Sequence, residues 1–391
     1  MITIKEASLF CRDGDWIESK DQSSSGIRLI QTGNIGVGVY LDKFSRAKYI
    51  SEETFNKLEC AEVFPGDIIV SRLPAPVGRA CIVPDGLGRT IAAVDCTILR
   101  IDEKKFLKEY VLLYTETGQY KSQIEKFLAG STRVRISRKN LESISIPQKN
   151  LETQKSIVSR IYNIKNIIEL RKQQLSKLDQ LIKSRFFEMF GECKTNPKNW
   201  KLLNMEDVAV VGSSKRVFIE ELQKEGIPFY RGTEVGALAE GKNIVPELYI
   251  KENHYKELVN ATGIPQPGDL LMPSICPDGR IWVVNTENPF YFKDGRVLWI
   301  HNIDTKFNST FLLYTLKDRI VADYLSIASG TTFAELKIFT LKKCKIFSVP
   351  LPLQEQFAAF VQQVDKAKSS VKQSLEKLET LKKSLMQEYF G

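Results

Sequence analysis

The stretch LETQKSIVSRIYNIKNIIELRKQQLSKLDQLIKSRFFEMFG, residues 151–191, decides how the chain is organised. Its apolar residues recur at alternating steps of four and three, which is the heptad spacing of a helix that packs along one seam. Arg171 fills the one slot in which an apolar residue is missing. The pattern predicts a single long helix with the seam residues Ile157, Ile161, Ile164, Ile168, Leu175, Leu178 and Ile182.

A second copy of this helix is predicted at residues 353–391, which begin LQEQFAAF and end LEKLETLKKSLMQEYFG. The closing residues of the two copies match at an offset of 200, so that Phe190 corresponds to Phe390. A helix of about 35 residues spans ~50 Å and cannot bury such a stripe alone, so we expect the two copies to pair. The predicted seam of the second copy, interrupted at Ser374, is Phe357, Phe360, Val364, Ala367, Val371, Leu378, Leu381 and Leu385.

The segments that precede the two helices also repeat. The turn and strand FPGDIIVSRL (64–73) correspond to QPGDLLMPSI (266–275), and PVGRACIV (76–83) corresponds to PDGRIWVV (277–284). Pro-Gly turns followed by β-branched runs are typical of strands, so both segments read as strand-rich α/β domains. The predicted division is domain 1 at 1–150, helix 1 at 151–191, domain 2 at 192–352 with a short linker at 192–199, and helix 2 at 353–391.

Composition limits the classes of function. The 391 residues carry a net charge of +9, which permits an anionic partner such as nucleic acid. Seven scattered cysteines without a CxxC pair favour reduced thiols in a cytoplasmic protein, and two histidines argue against a histidine-rich metal site. We expect no membrane span, because no apolar run reaches about 18 residues.

No recognisable catalytic centre is found in the sequence. There is no GxxxxGK[ST] loop for a nucleotide, and two histidines leave no credible Ser/His/Asp or Cys/His set. Asn288-Pro289-Phe290-Tyr291 resembles a methyltransferase loop, but a cofactor-binding motif before it is missing. Pro84-Asp85 and Pro277-Asp278 could begin a nuclease motif, but both lie in Gly-rich turns. We interpret all three as turns.

Two kinds of residue are candidates for contact with DNA. A basic segment, Arg133, Arg135, Arg138 and Lys139, follows Ser131-Thr132. It has two interpretations of similar weight: contact with DNA phosphates, or an edge strand whose charges are simply solvated. The second domain has Thr331-Thr332 at the matching place without the basic cluster, and we expect Lys342 and Lys343 to take its role. Arg, Asn and Gln also read base edges, so side chains near equivalent strand ends and turns complete the set: Gln31, Asn34, Arg72, Arg79, Arg231 and Arg280.

The layout resembles the specificity (S) subunit of type I restriction–modification systems. The resemblance rests on the two Pro-Gly-Asp strands, the Gly-Ser/Thr-Thr turns, the starts Leu151-Glu152-Thr153-Gln154 and Leu353-Gln354-Glu355-Gln356, and the two terminal Phe-Gly pairs. It covers essentially the whole chain. It implies an α+β protein with two similar target recognition domains, separated by two long conserved helices that pack as an antiparallel intramolecular coiled coil.

The same resemblance implies function and partners. Each domain would read one half of a bipartite target in double-stranded DNA, and the helices would dock two modification (adenine-N6 methyltransferase) subunits, which two restriction (translocase/nuclease) subunits join. The chain itself would be non-catalytic, monomeric or present in one copy per complex. It would hold no cofactor, since S-adenosylmethionine, ATP and Mg²⁺ belong to the partner subunits.

Two other functions stay open on the sequence alone. One is a stand-alone coiled-coil DNA-binding regulator, and the other is a DNA endonuclease or methyltransferase with an unrecognised site. A catalytic chain would cleave or methylate DNA without partners, whereas a regulator would bind tightly by itself and co-purify with no methyltransferase.

Overall fold

The computed structural model describes residues 1–128, 134–329 and 334–391, which fall into two compact units. Unit 1 comprises Met1–Gln173 together with Lys372–Gly391, and unit 2 comprises Gln174–Val371. Each unit therefore contains one globular domain and one end of each long helix.

Unit 1 is a mixed domain built on two sheets. One has the strand order β2-β10-β7-β8, and the other has the order β3-β5-β4-β9-β6, in which β4 and β9 run parallel. The strands are β1 Ile2–Thr3, β2 Ser8–Asp13, β3 Gln22–Ser23, β4 Ile27–Ile30, β5 Lys48–Ile50, β6 Glu62–Val63, β7 Ile68–Ser71, β8 Ala80–Ile82, β9 Thr90–Ala92, β10 Cys96–Ile101 and β11 Ser145–Ile146. The helices are α1 Ile4–Ala7, α2 Glu52–Lys57, α3 Lys108–Thr115, α4 Gly118–Glu125, α5 Arg138–Glu142 and α6 Leu151–Phe190.

Unit 2 repeats this plan with fewer strands in its second sheet. Its first sheet has the order β13-β19-β16-β17, and its second has the order β15-β14-β18 with β14 and β18 parallel. The strands are β12 Lys201–Asn204, β13 Val210–Gly212, β14 Ile227–Tyr230, β15 Tyr249–Ile250, β16 Leu270–Pro273, β17 Trp282–Val283, β18 Tyr291–Phe292, β19 Val297–His301, β20 Ala328–Ser329, β21 Glu335–Leu336 and β22 Lys345–Ser348. The helices are α7 Gly232–Ala239, α8 Glu252–Thr262, α9 Ser309–Ile327, α10 Ile338–Lys342 and α11 Leu351–Phe390.

The Pro-Gly-Asp motifs are the turns that start the central strands β7 and β16. Gly66 and Gly268 have φ of +89° and +97°, a conformation that glycine adopts without steric cost. The buried carboxylates of Asp67 and Asp269 accept hydrogen bonds from the backbone N–H three residues earlier, at 2.9 and 2.8 Å. The motif is therefore structural.

The long helices pack antiparallel within each unit. In unit 1 the start of α6 lies against the end of α11, where Ile157 and Ile161 share a core with Phe390. In unit 2 the end of α6 lies against the start of α11, where Phe186 packs on Phe357. The predicted α+β fold with an antiparallel helix pair inside one chain is confirmed.

The predicted seam of the second helix is wrong at two positions. Ala367 and Leu381 are exposed, and Lys368 and Lys382 are part-buried in their place. A lysine can occupy a seam because its methylene stem packs while its ammonium reaches a partner, here Asp179 Oδ1 at 2.7 Å from Lys368. The seams of α6 and α11 coincide at the offset of 200 once the buried Val361 and the part-buried Leu375 are also counted in place of the predicted Phe360 and Ser374.

A fully buried glutamine joins each long helix to its globular domain. Gln154 accepts a hydrogen bond from the Leu107 N–H at 2.8 Å and donates to the carbonyl oxygens of Lys105 and Lys149 at 3.0 and 2.8 Å. Gln354 makes the equivalent three bonds in unit 2. Both glutamines are 0% exposed, so the first turn of each helix is held by an interior hydrogen-bond network.

Candidate nucleic-acid interface

The loops that follow the strands β4, β7 and β9 of unit 1 meet at one edge of the domain. Backbone hydrogen bonds join them: Ala93 N–H to Ile30 O at 2.8 Å, Arg72 N–H to Asp95 O at 2.9 Å, and Ile136 N–H to Arg72 O at 3.3 Å. We call this edge rim 1. It consists of the segments 31–41, 72–79, 93–95 and 134–138.

Unit 2 builds the same edge from different side chains. The three corresponding bonds run from Lys293 N–H to Tyr230 O at 2.9 Å, from Ser274 N–H to Arg296 O at 2.9 Å, and from Leu336 N–H to Ser274 O at 2.8 Å. We call this edge rim 2. It consists of the segments 231–240, 274–280, 293–296 and 334–337. A backbone frame that recurs while its side chains differ suits two domains that bind related but distinct partners.

Two of the predicted DNA-contacting residues in rim 1, Asn34 and Arg72, hold its loops in place. Asn34 is buried, accepts the Gln31 N–H at 3.0 Å and donates to the Leu41 carbonyl oxygen at 3.1 Å. The buried Arg72 donates to the Val94 carbonyl oxygen at 2.6 Å and pairs with Asp13. Base or phosphate contact by these side chains stays a prediction, and their present contacts position the loops.

Arg79 joins two loops of rim 1 through its side-chain hydrogen bonds. Its guanidinium donates hydrogen bonds to the carbonyl oxygens of Ile35, Leu73, Pro76 and Thr32, at 2.7, 2.7, 3.0 and 2.8 Å. These carbonyls come from two different loops, so one side chain ties the loop after β4 to the loop after β7. A guanidinium suits this task because its donors are fixed in one plane.

We expect Arg79→Met to lower the free energy of unfolding by about 3 kcal/mol, since four carbonyl oxygens lose a charged donor. The matched control is Arg280→Met at the equivalent turn. Arg280 pairs with Asp278 and Glu240 at a part-exposed site, so its loss should cost less than about 1 kcal/mol. Urea denaturation of both variants measures the difference, and equal effects would contradict the role assigned to Arg79.

The predicted cations of rim 2 are engaged in ion pairs. Arg231 bonds to Glu234 and Glu247, and Arg280 is paired as described above. Burial by itself would raise the pKa of Glu234, but its hydrogen bonds from Arg231 lower it to about 2, so this pair is charged at neutral pH. Rim 2 therefore presents alternating charge.

The remaining predicted residues are placed as follows. Gln31, Arg135 and Lys139 are exposed, Arg138 is exposed and pairs with Glu142 at 3.3 Å, and Lys342 is part-exposed. Lys343 lies over the ring of Phe339, with its ammonium 4.0 Å from the centroid. Ser131, Thr132, Arg133, Thr331 and Thr332 lie outside the described residues. None of these placements tests contact with DNA.

The sequence reasoning missed a group of exposed residues beside rim 1. Lys43, Phe44 and Arg46 lie at the tip of the loop that follows β4, and Phe44 is 77% exposed. The signal in the sequence was an aromatic residue between two cations in GVGVYLDKFSRAK, residues 36–48, whose one acidic residue is Asp42. No alternation or heptad marks such a loop, so a search for periodic patterns passes over it.

Within 1–128, 134–329 and 334–391, no group of three His, Cys, Asp or Glu side chains could hold a metal ion, and no helix is long and apolar enough to cross a membrane. Burial raises the pKa of the Cys81, Cys96 and Cys276 thiols to about 12, so they are protonated and poorly nucleophilic at neutral pH.

Comparison with known proteins assigns the family. The type I restriction modification DNA specificity domain matches twice, at residues 7–180 and 197–380, and the chain belongs to this family. A putative type I restriction enzyme specificity subunit of Haemophilus influenzae is 28% identical over 254 residues, which are 64% of this chain and 63% of that protein. A type I restriction enzyme specificity subunit of Methanocaldococcus jannaschii is 24% identical over 326 residues, covering 78% of this chain and 72% of that protein.

Solved structures show the same fold. A chain from a study of complex assembly and conformational transition of the type I restriction–modification system aligns over 99% of this chain and 96% of its own length, with a TM-score of 0.61 and 17% identity. The S subunit of a type I system from M. genitalium aligns over 100% and 95%, with a TM-score of 0.57 and 14% identity. The resemblance inferred from the sequence is thus confirmed.

Proposed function

We propose that this chain is the DNA sequence-specificity subunit of a type I restriction–modification complex. Rim 1 and rim 2 each read one half of a bipartite target in double-stranded DNA. The observation that carries this proposal is the similarity of the two rims. Each contains three equivalent backbone hydrogen bonds, but the two rims present different side chains. Two similar domains with different loop chemistry would select two different half-sites.

The long helices supply the second part of the proposal, which is subunit docking. Besides their buried seams they carry exposed apolar residues, whose exposed fractions are 41% at Ile167, 63% at Leu170, 47% at Leu181 and 47% at Leu381. Exposed apolar side chains along a helix pair suit contact with other proteins. We propose that two modification (methyltransferase) subunits dock there and that two restriction (translocase/nuclease) subunits join them.

Catalysis belongs to those partners in this proposal. Adenine-N6 methylation would use S-adenosylmethionine in the modification subunits, and ATP and Mg²⁺ would serve the restriction subunits. This chain supplies the recognition of the DNA sequence. We place the complex in the cytoplasm, where the DNA is.

Sequencing of methylated bases tests the proposal in the source organism, with and without the gene. We expect one bipartite methylated motif to disappear on deletion and to return when the gene is restored, while unrelated methylated motifs stay constant. An unchanged methylation pattern in cells that express the modification subunit would contradict the proposed function. Methylation or cleavage by the purified chain alone would show instead that it is an enzyme.

A further inference from the structure

The loop between β4 and β5 carries an exposed aromatic ring beside rim 1. Phe44 begins a short 3-10 turn, Phe44–Arg46, and is 77% exposed. Single exposed apolar side chains are common at protein surfaces, so what matters here is the setting of the ring.

The base of the loop is held firmly although its tip is exposed. The Leu41 N–H donates to the Asn34 carbonyl oxygen at 2.8 Å, and the Gly38 N–H donates to the Ala80 carbonyl oxygen at 2.9 Å. Next to the tip, Asp42 Oδ1 accepts a hydrogen bond from the largely buried Arg28 at 2.5 Å. These contacts hold the segment that leads to Phe44, so the ring stands on a fixed base.

The charge around Phe44 is positive. Lys43, Arg46 and Lys48 are exposed, and none of them forms an ion pair with any residue that the structure describes. The single acid of the loop, Asp42, is neutralised by Arg28. An apolar ring flanked by unpaired cations matches a DNA duplex, which offers an apolar base step between two anionic backbones.

The segment of unit 2 that corresponds to this loop, residues 240–248, has no aromatic residue and carries an aliphatic Val245 that is 88% exposed. There Lys242 pairs with Glu240, and Glu247 pairs with Arg231. This loop therefore carries an aromatic ring and unpaired cations in unit 1, whereas the matching segment of unit 2 does not, so its role concerns one half-site.

We propose that Phe44 is a wedge that inserts at one base step of the half-site bound by unit 1, with Lys43 and Arg46 on the adjacent phosphates. The inference rests on the proposed function, since it presupposes a DNA target. Inserted apolar side chains unstack a step and bend the duplex, and the ease of unstacking depends on the sequence of that step. Phe44 therefore adds selectivity at a position where no hydrogen bond to a base edge is needed.

The test uses duplexes that contain the methylated motif, with 2-aminopurine replacing the purines of both half-sites one at a time. Its fluorescence rises when the base is unstacked. With the purified complex we expect a rise at one step, or two adjacent positions, in one half-site only. Phe44→Ala should abolish the rise and weaken binding of the motif by about tenfold, the scale of one lost aromatic–base contact. Val245→Ala is the matched control and should change neither quantity.

A second variant separates the ring from the charges. Lys43→Gln with Arg46→Gln should flatten the dependence of log K on log salt by about two, as expected for two lost phosphate contacts. If the complex binds its motif but the fluorescence rises at no 2-aminopurine position, Phe44 does not insert between bases, and the proposed function stands. The same follows if Phe44→Ala retains the rise in fluorescence. If Phe44→Ala leaves DNA affinity unchanged and weakens association with the modification subunits, Phe44 lies in a protein interface and the proposal is overturned.

Discussion

Replacing Gln354 with leucine is expected to lower the free energy of unfolding of unit 2 by about 4 kcal/mol. Leucine keeps roughly the volume of the side chain but removes its bonds to the Asn308 N–H at 2.9 Å and to the carbonyl oxygens of Lys306 and Val349 at 3.0 and 2.7 Å. Each buried polar group left without a partner costs about 1–3 kcal/mol. The loss of three makes this one of the most damaging single changes in the chain.

Gln356→Leu is the matched control, because Gln356 is exposed two residues further along the same turn. We expect it to change stability by less than about 0.5 kcal/mol. Since the two units need not unfold together, hydrogen exchange at the Asn308 amide is the sharper measurement, and it should accelerate in Gln354→Leu alone. An unaltered exchange rate there would show that the side chain does not hold the loop.

Phe190→Ala should also destabilise unit 2 by about 4 kcal/mol, the usual range for deleting a buried phenyl ring. The ring is 0% exposed, and its centroid lies 4.9, 5.2 and 5.5 Å from those of Phe311, Phe186 and Phe357. Such aromatic pairs add stabilisation beyond the buried area. The cavity left by alanine would open where the end of α6 meets both α9 and α11.

Leu181→Ala on the same helix gives the comparison for Phe190, because Leu181 is 47% exposed and should cost less than about 1 kcal/mol. Phe390→Ala should act in the same way on unit 1, where Phe390 packs against Tyr110 and Tyr114 with centroids 5.0 and 5.8 Å apart. The denaturant concentrations at the unfolding midpoints of the three variants rank their stabilities. A Phe190→Ala midpoint no lower than that of Leu181→Ala would contradict the packing described for this end of the helix.

The helices could be predicted because their information is periodic, and the exceptions have a clear cause. Ala367 and Leu381 satisfied a search for apolar residues, yet Lys368 and Lys382 occupy the seam. A search for apolar residues rejects every lysine, including one whose methylene stem packs in the seam while its ammonium reaches solvent or a partner. The offset of 200 was the better guide, since a duplicated geometry keeps its positions even where the residue types change.

The candidate interface was only partly accessible to the same reasoning. The sequence indicated Arg79 as a candidate for contact with a base or a phosphate, but whether a guanidinium faces solvent or four backbone carbonyls depends on how distant loops meet. The same is true of Asn34, which caps its own loop. Phe44 was not among the predicted residues, since a single exposed ring in an irregular loop leaves no periodic trace.

The composition of unit 1 from two separate stretches, 1–173 and 372–391, has a consequence for biosynthesis. A ribosome makes the whole of unit 2 before it makes residues 372–391, so the domain begun first is completed last. Until then Tyr110 and Tyr114 lack the ring of Phe390, and an apolar surface of the nascent protein stays open. A truncation that removes residues 372–391 would therefore destabilise the N-terminal domain. During synthesis, the exposed apolar surface of that domain would need a chaperone for longer than any surface of unit 2.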